Sequence, residues 1–168
     1  MAITPDGGGY WMVASDGGIF AFGDAAFRGS MGATPLNKPV VGMATAPGGG
    51  YWLVASDGGI FSFGGAAFYG STGNLRLNKP VLGMTPTPSG HGYWFVATDG
   101  GIFSFGDAGF QGSTGSLVLA EPVAGMAAAT DGTGYRIVAS DGGIFAFNAP
   151  FYGSLGGLGI TGVAGMAT

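Results

Sequence analysis

One sequence pattern returns at intervals of about 42 residues along this 168-residue chain. Each copy begins with Gly-Tyr and continues to Asp-Gly-Gly-Ile-Phe, and the opening tyrosines are Tyr10, Tyr51, Tyr93 and Tyr135. A repeat of this length is one supersecondary unit, which buries its apolar surface only by stacking against neighbouring copies. The period therefore predicts four tandem copies of one structural unit, the fourth being the most divergent.

The clearest element within a copy is a β-hairpin. In the first copy, two β-rich apolar runs within Trp11–Phe22 flank the sequence Ser-Asp-Gly-Gly. Asp-Gly between apolar strands favours a two-residue type I′ turn, which would place Val13 opposite Phe20. The aspartates of the four turns are interpreted as turn formers, with a ligand role as the alternative; they are Asp16, Asp57, Asp99 and Asp141.

This register predicts that both faces of each hairpin are apolar. Large residues, including Trp11 and Phe22, share one face, and smaller residues, including Met12 and Ala21, share the other. Both faces must then be covered, because an apolar face left in water is unfavourable. A ring of blades that pack face to face covers both, whereas a two-sheet sandwich leaves one face of each sheet polar.

Two further strands complete each predicted unit. An outer strand is expected around Phe27–Ser30, and an inner strand over Val40–Ala44. Four strands in about 42 residues is the size of a propeller blade. The expected fold is all-β: a β-propeller of four tandem four-stranded blades, as a closed four-bladed ring or as half of an eight-bladed homodimer. The approximate blades are 1–43, 44–84, 85–126 and 127–168, with the terminal strands completing one composite blade.

The shared pattern GYWxVASDGGIFxFGDAxFxGS resembles tandem repeats of exported actinobacterial proteins that are often associated with the cell envelope. The resemblance covers essentially the whole chain, and it implies a propeller-like fold and a location outside the cell or at its surface. It implies no catalytic residue. The N-terminal sequence lacks a basic region followed by an apolar one, so no signal peptide is expected. The chain is then either cytoplasmic or an excerpt from a longer exported protein.

Composition argues against several classes of function. The net charge is −4 and the five basic residues are scattered, which disfavours nucleic-acid binding. The chain has no cysteine, so disulfides and cysteine-based metal sites are excluded. No apolar run is long enough to span a membrane, and no cofactor or metal is expected.

Catalytic arrangements are weakly supported by the sequence. His91 is the single histidine and lies in a glycine-containing turn, which disfavours a Ser-His-Asp triad. Asp24 and Asp107 occupy matching loops, and paired carboxylates keep a glycoside hydrolase as a third alternative. We therefore expect a protein that is not an enzyme.

Candidate binding residues lie at positions that differ between the four copies although the surrounding repeat sequence is shared. The residue that follows the phenylalanine of the predicted outer strand, Phe27 in the first copy, differs between copies. In the fourth copy, Arg136 replaces the tryptophan of the other three. The candidates are Arg28, Tyr69, Gln111, Arg136 and Tyr152. Tyrosine beside arginine and glutamine suits a sugar or a peptide. These residues predict a noncatalytic binding module for a glycan or cell-envelope polymer. The alternative is a structural spacer or self-assembling propeller unit with no small ligand; a protein partner and a homodimer remain open.

Overall fold

The computed structural model describes residues 1–167, which form β-strands joined by turns and loops. The chain divides into two compact units, Met1–Asn78 and Lys79–Thr168, and Thr168 itself lies outside the described residues. Within residues 1–167 there is no helix long and apolar enough to cross a membrane. The prediction of an all-β chain is confirmed for this part of the chain.

Each unit contains two antiparallel sheets of three strands. In the first unit the strands are β1 (Ala2–Ile3), β2 (Gly9–Val13) and β3 (Ile19–Gly23) in the first sheet, and β4 (Val40–Ala46), β5 (Gly50–Ala55) and β6 (Ile60–Phe63) in the second. In the second unit they are β7 (Val81–Pro86), β8 (Gly92–Ala97) and β9 (Ile102–Gly106) in the third sheet, and β10 (Val123–Ala128), β11 (Tyr135–Ala139) and β12 (Ile144–Phe147) in the fourth. Each inner strand pairs with the hairpin that follows it in sequence.

The predicted outer strand is wrong. Residues 24–30 form no strand in the first copy, and each sheet has three strands where four were expected. A glycine in this segment explains the difference, because Gly29 has a φ of 130°, outside the extended region that a strand requires. The equivalent glycines of the other copies share this conformation; they are Gly70, Gly112 and Gly153.

The predicted hairpin register is wrong by one residue. Val13 lies opposite Ile19, and Trp11 lies opposite Ala21. Gly17 N donates to Ala14 O at 2.9 Å, and Gly17 alone among the turn residues has a positive φ, at 80°. This is a type I turn closed by a left-handed glycine, a three-residue loop in place of the expected type I′ turn. The Asp16 carboxylate accepts the N–H of Gly18 at 2.8 Å, which supports its role as a turn former.

The observed register redefines the two faces of each sheet. The Trp face carries Trp11, Val13, Ile19 and Ala21 in the first sheet, and the equivalent residues in the other sheets. The Tyr–Phe face carries Tyr10, Met12, Phe20 and Phe22, and their equivalents. The predicted pairing of Trp and Phe on one face is therefore wrong, because a shift of one residue moves a strand's side chains to the opposite face.

Packing of unlike faces builds the core of each unit. In the first unit, the Trp face of the first sheet covers the Tyr–Phe face of the second, and the Trp11 and Tyr51 rings lie 5.5 Å apart. In the second unit, the third sheet covers the fourth in the same way, with Trp94 and Tyr135 also 5.5 Å apart. The prediction that neighbouring sheets cover each other's apolar faces is confirmed within each unit.

At its two ends the described chain has one short strand and one segment without regular secondary structure. The short strand β1 pairs with β2 through Ala2 and Trp11. Residues 163–167 form no strand, although Val163 N donates to Ser140 O at 3.0 Å and Gly165 approaches Gly125 of β10. Completion of one blade by both termini therefore stays a prediction, and its last residue, Thr168, lies outside the described residues.

Candidate functional site: two rim clefts

A buried tyrosine fixes the backbone at the variable position of the preceding copy. The Tyr51 hydroxyl donates to Gly29 O at 2.7 Å and accepts the N–H of Arg28 at 3.0 Å. The Tyr135 hydroxyl does the same in the second unit, donating to Gly112 O at 2.6 Å and accepting the N–H of Gln111 at 3.0 Å. Burial raises the pKa of both phenols, so both remain protonated at neutral pH. The scaffold thus holds the main chain while the side chains of Arg28 and Gln111 stay exposed.

An indole N–H fixes the same segment two residues earlier. Trp11 Nε1 donates to Ala26 O at 3.0 Å, and the tryptophans of the second and third sheets make equivalent bonds of 2.7 and 2.8 Å. In the fourth sheet, Arg136 Nε donates to Pro150 O at 2.7 Å. Arg136 therefore keeps the hydrogen bond of the tryptophan that it replaces, and adds a positive charge.

The first rim cleft lies in the first unit and measures about 310 Å³. Its lining residues are Thr4, Pro5, Asp6, Trp11, Asp24, Ala26, Arg28 and Gly49. The Thr4 hydroxyl donates to Asp24 at 3.2 Å, and the N–H of Gly8 donates to Asp6 at 3.2 Å. Hydrogen bonding, mainly from Thr4, lowers the pKa of Asp6, so the carboxylate is charged at neutral pH. The cleft thus combines carboxylates, an indole and a guanidinium.

The fourth rim cleft lies in the second unit and measures about 430 Å³. Its lining residues are Ala128, Ala129, Thr130, Asp131, Arg136, Pro150, Tyr152, Met166 and Ala167. The Arg136 guanidinium lies 4.9 Å from the centre of the Tyr152 ring, and Tyr152 is 84% exposed. Hydrogen bonds from the N–H and hydroxyl of Thr133 lower the pKa of Asp131. An exposed ring, a cation and a carboxylate therefore line one cleft.

The two clefts occupy equivalent places in the repeat. Asp6 corresponds to Asp131, the Trp11 position to Arg136, and Arg28 to Tyr152. The variable residue follows a phenylalanine that is between 60% and 62% exposed in every copy; these are Phe27, Phe68, Phe110 and Phe151. Apolar and polar groups are thus presented side by side to solvent.

Three of the five predicted binding residues line the two clefts. The structure brings Arg136 and Tyr152 together in the fourth rim cleft and places Arg28 in the first. Tyr69 is half-buried, with its ring 6.3 Å from that of Trp52. Gln111 is exposed and lines neither cleft. Asp6 and Asp131 were not among the predicted binding residues, because Asp-Gly is a common turn sequence.

The serine, histidine and aspartate near residue 90 form a turn network. The Ser89 hydroxyl donates to Asp107 at 2.5 Å and accepts the N–H of His91 at 3.1 Å, while Thr87 donates to the other Asp107 oxygen at 2.8 Å. In a nucleophilic triad the serine would donate to the imidazole, and the carboxylate would bind the far side of that ring. The observed bonds stabilise the turn. Among residues 1–167, no group of three or more metal-ligating side chains could hold an ion.

Comparison with known proteins assigns no family to this geometry. No protein-family model matches the chain, and no curated protein matches it. The assignment of function therefore depends on the residues of the two rim clefts.

Proposed function

We propose that the chain is a noncatalytic binding module whose rim clefts hold a glycan or a related cell-envelope polymer. The supporting observation is recurrence: two equivalent repeat positions each form a cleft with a carboxylate, a planar side chain and a guanidinium. Random sequence change at a surface without function gives no reason for the same three kinds of group to occur in both clefts. The β-propeller arrangement, the location outside the cell and the kinship with exported repeats belong to the same proposal.

The chemistry of the clefts suits a sugar. A pyranose has an apolar face that stacks on a ring such as Tyr152, and hydroxyl groups that bond to carboxylates and guanidinium groups. The lowered pKa of Asp6 and of Asp131 keeps each carboxylate an acceptor at neutral pH. A polymer with a repeating unit can occupy more than one cleft, and linked occupancy strengthens binding without any new contact.

A hydrolytic role for the carboxylates is less well supported. In the first rim cleft, Asp6 accepts the N–H of Gly8 and Asp24 accepts the Thr4 hydroxyl, so each carboxylate already has a partner within the protein. Retaining glycosidases hold their two carboxyl groups about 5 Å apart, and inverting ones farther, so that a glycosidic bond fits between them. The fourth rim cleft has one carboxylate, Asp131, among its lining residues, so it lacks the second carboxyl group that hydrolysis requires. Binding without hydrolysis is therefore the better proposal.

The test is titration of the chain with soluble cell-envelope polysaccharides and peptidoglycan fragments by isothermal calorimetry. Arg28→Ala should weaken binding about tenfold through loss of a charge-assisted bond to the ligand. Arg136→Trp should weaken it similarly while keeping the fold, because an indole N–H can donate to Pro150 O as Trp11 does to Ala26 O. Arg76→Ala is the matched control, since Arg76 is exposed and lines neither cleft.

Two outcomes would contradict the proposal. One is the absence of binding by every polymer while the chain remains folded, which would favour a structural spacer. The other is binding that Arg28→Ala and Arg76→Ala weaken equally, which would indicate nonspecific attraction to charge.

A further inference from the structure

The first sheet exposes a face that is buried in its equivalents. Tyr10, Met12 and Phe22 of its Tyr–Phe face are 38%, 47% and 45% exposed, and the Tyr10 and Phe22 rings stack at 5.1 Å. The equivalent Tyr51 and Tyr135 are fully buried by the Trp face of the sheet before them. An apolar face of this composition is therefore built to be covered by a Trp face.

The glycine after the variable residue forms part of the receiving surface, the surface on which the Tyr–Phe face of the next sheet packs. Gly29 and Gly112 have φ values of 130° and 136°, and a Cβ on either would collide with the ring of Phe63 or Phe147. Their carbonyl oxygens accept the hydroxyls of Tyr51 and Tyr135. One glycine thus contacts a Tyr–Phe face in two ways. Its missing side chain leaves room for the phenylalanine ring, and its carbonyl oxygen accepts the tyrosine hydroxyl.

The fourth sheet carries the same receiving surface. Gly153 has a φ of 131°, the conformation of Gly29 and Gly112, yet no residue apart from its two chain neighbours lies within 4 Å of the place where its Cβ would stand. Arg136 occupies the tryptophan position beside it and keeps the tryptophan's hydrogen bond. The backbone geometry for a following Tyr–Phe face is therefore present at Gly153, and the Arg136 side chain beside it is partly exposed.

We propose that the Tyr–Phe face of the first sheet packs on the Trp face of the fourth sheet of a second copy of this chain. The Tyr10 hydroxyl donates to Gly153 O and accepts the N–H of Tyr152, as Tyr51 does with Gly29 and Arg28. The Phe22 ring covers Gly153, as Phe63 covers Gly29. The occupant is specified by the repeat, because the two surfaces are the halves of a seam that each unit already forms internally.

This seam also completes the fourth rim cleft. Gly49, in the turn before Tyr51, lines the first rim cleft. Gly8 holds the equivalent position before Tyr10, so the second copy would supply Gly8 as a wall of the fourth rim cleft. The seam itself does not depend on the proposed glycan binding, since it forms without a ligand.

Sedimentation equilibrium over a wide range of chain concentrations tests the seam without any glycan. The unmodified chain should show a mass above that of one chain, falling on dilution. Tyr10→Phe removes two hydrogen bonds and should raise the dissociation constant about thirtyfold, with no change in the melting temperature of the monomer. Gly153→Val should abolish association, because a side chain is strained at this φ and fills the space for Phe22.

Tyr51→Phe and Gly112→Val are the matched controls, since they alter the same positions of seams inside a unit. Both should lower the melting temperature, and neither should change the dissociation constant measured below that temperature. A single-chain mass at every concentration would overturn the proposal, as would association that survives both Tyr10→Phe and Gly153→Val. A lower melting temperature for Tyr10→Phe in the monomer would also overturn it, because Tyr10 would then pack within its own chain.

Discussion

Replacing Tyr135 by Phe tests whether the buried hydroxyl holds two sheets of the second unit together. The ring would stay in place, so no cavity forms and the change removes only the hydroxyl. That hydroxyl donates at 2.6 Å to Gly112 O and accepts at 3.0 Å from Gln111 N. Each lost hydrogen bond costs about 1 kcal/mol net, so we expect a total loss of about 2 kcal/mol. For a chain of this size, the melting temperature should fall by about 4–8 °C.

Urea unfolding at pH 7 measures this loss as a lower midpoint at an unchanged slope. Tyr152→Phe is the matched control, because Tyr152 is 84% exposed, and a surface change of this kind should stay within about 0.5 kcal/mol. If Tyr135→Phe costs no more than Tyr152→Phe, the hydroxyl does not lock the seam. The backbone at Gln111 and Gly112 would then be held by other contacts.

Two further predictions concern the turns. Gly17→Val should lower the free energy of unfolding by at least about 2 kcal/mol, because Gly17 has a φ of 80° and a Cβ there would collide with Met31. Gly7→Val is the matched control, since no residue apart from the chain neighbours lies within 4 Å of that Cβ position. Equal costs for the two variants would show that the collision is unimportant. The pKa of Asp107 is lowered below its ordinary value of 3.8, first by the Ser89 hydroxyl, so its contribution to stability is present above pH 3.8 and is lost as the pH falls through the folded-state pKa. The melting temperature should therefore fall on acidification below about pH 4, and Ser89→Ala should reduce that fall; an identical acid profile for Ser89→Ala would show that this hydroxyl does not set the titration.

The repeat itself made most of the fold predictable. Spacing of Gly-Tyr predicts four units, and apolar residues on both sides of each hairpin predict that neighbouring sheets cover each other. The register was not predictable, because Asp16-Gly17 is compatible both with a type I′ turn and with a type I turn ending in a left-handed glycine. That choice depends on the φ of Asp16, and it decides whether Trp11 shares a face with Phe22 or with Ala21.

The candidate site was predictable only in part, for a similar reason. Variation on a shared frame indicated Arg28 and Tyr152, and the loss of a tryptophan indicated Arg136. That Asp6 and Asp131 line the two clefts became visible only in the structure, because Asp-Gly is a common turn sequence. One signal was available: in the second and third copies the residue four positions before the opening tyrosine is Pro47 or Ser89, so the aspartates of the first and fourth copies are not required by the turn.

The most direct test of the binding proposal maps the ligand onto individual residues. Two-dimensional ¹⁵N NMR spectra are recorded while a cell-envelope polysaccharide is added to the ¹⁵N-labelled chain. Shifts should concentrate on the amides of Asp6, Arg28, Asp131 and Tyr152 and on the Trp11 indole N–H, which belong to the rim clefts. The turn amides of Gly17 and Gly100 should stay in place. Shifts that concentrate on these turns, or spectra that do not change with any polysaccharide, would contradict a glycan-binding role for the clefts.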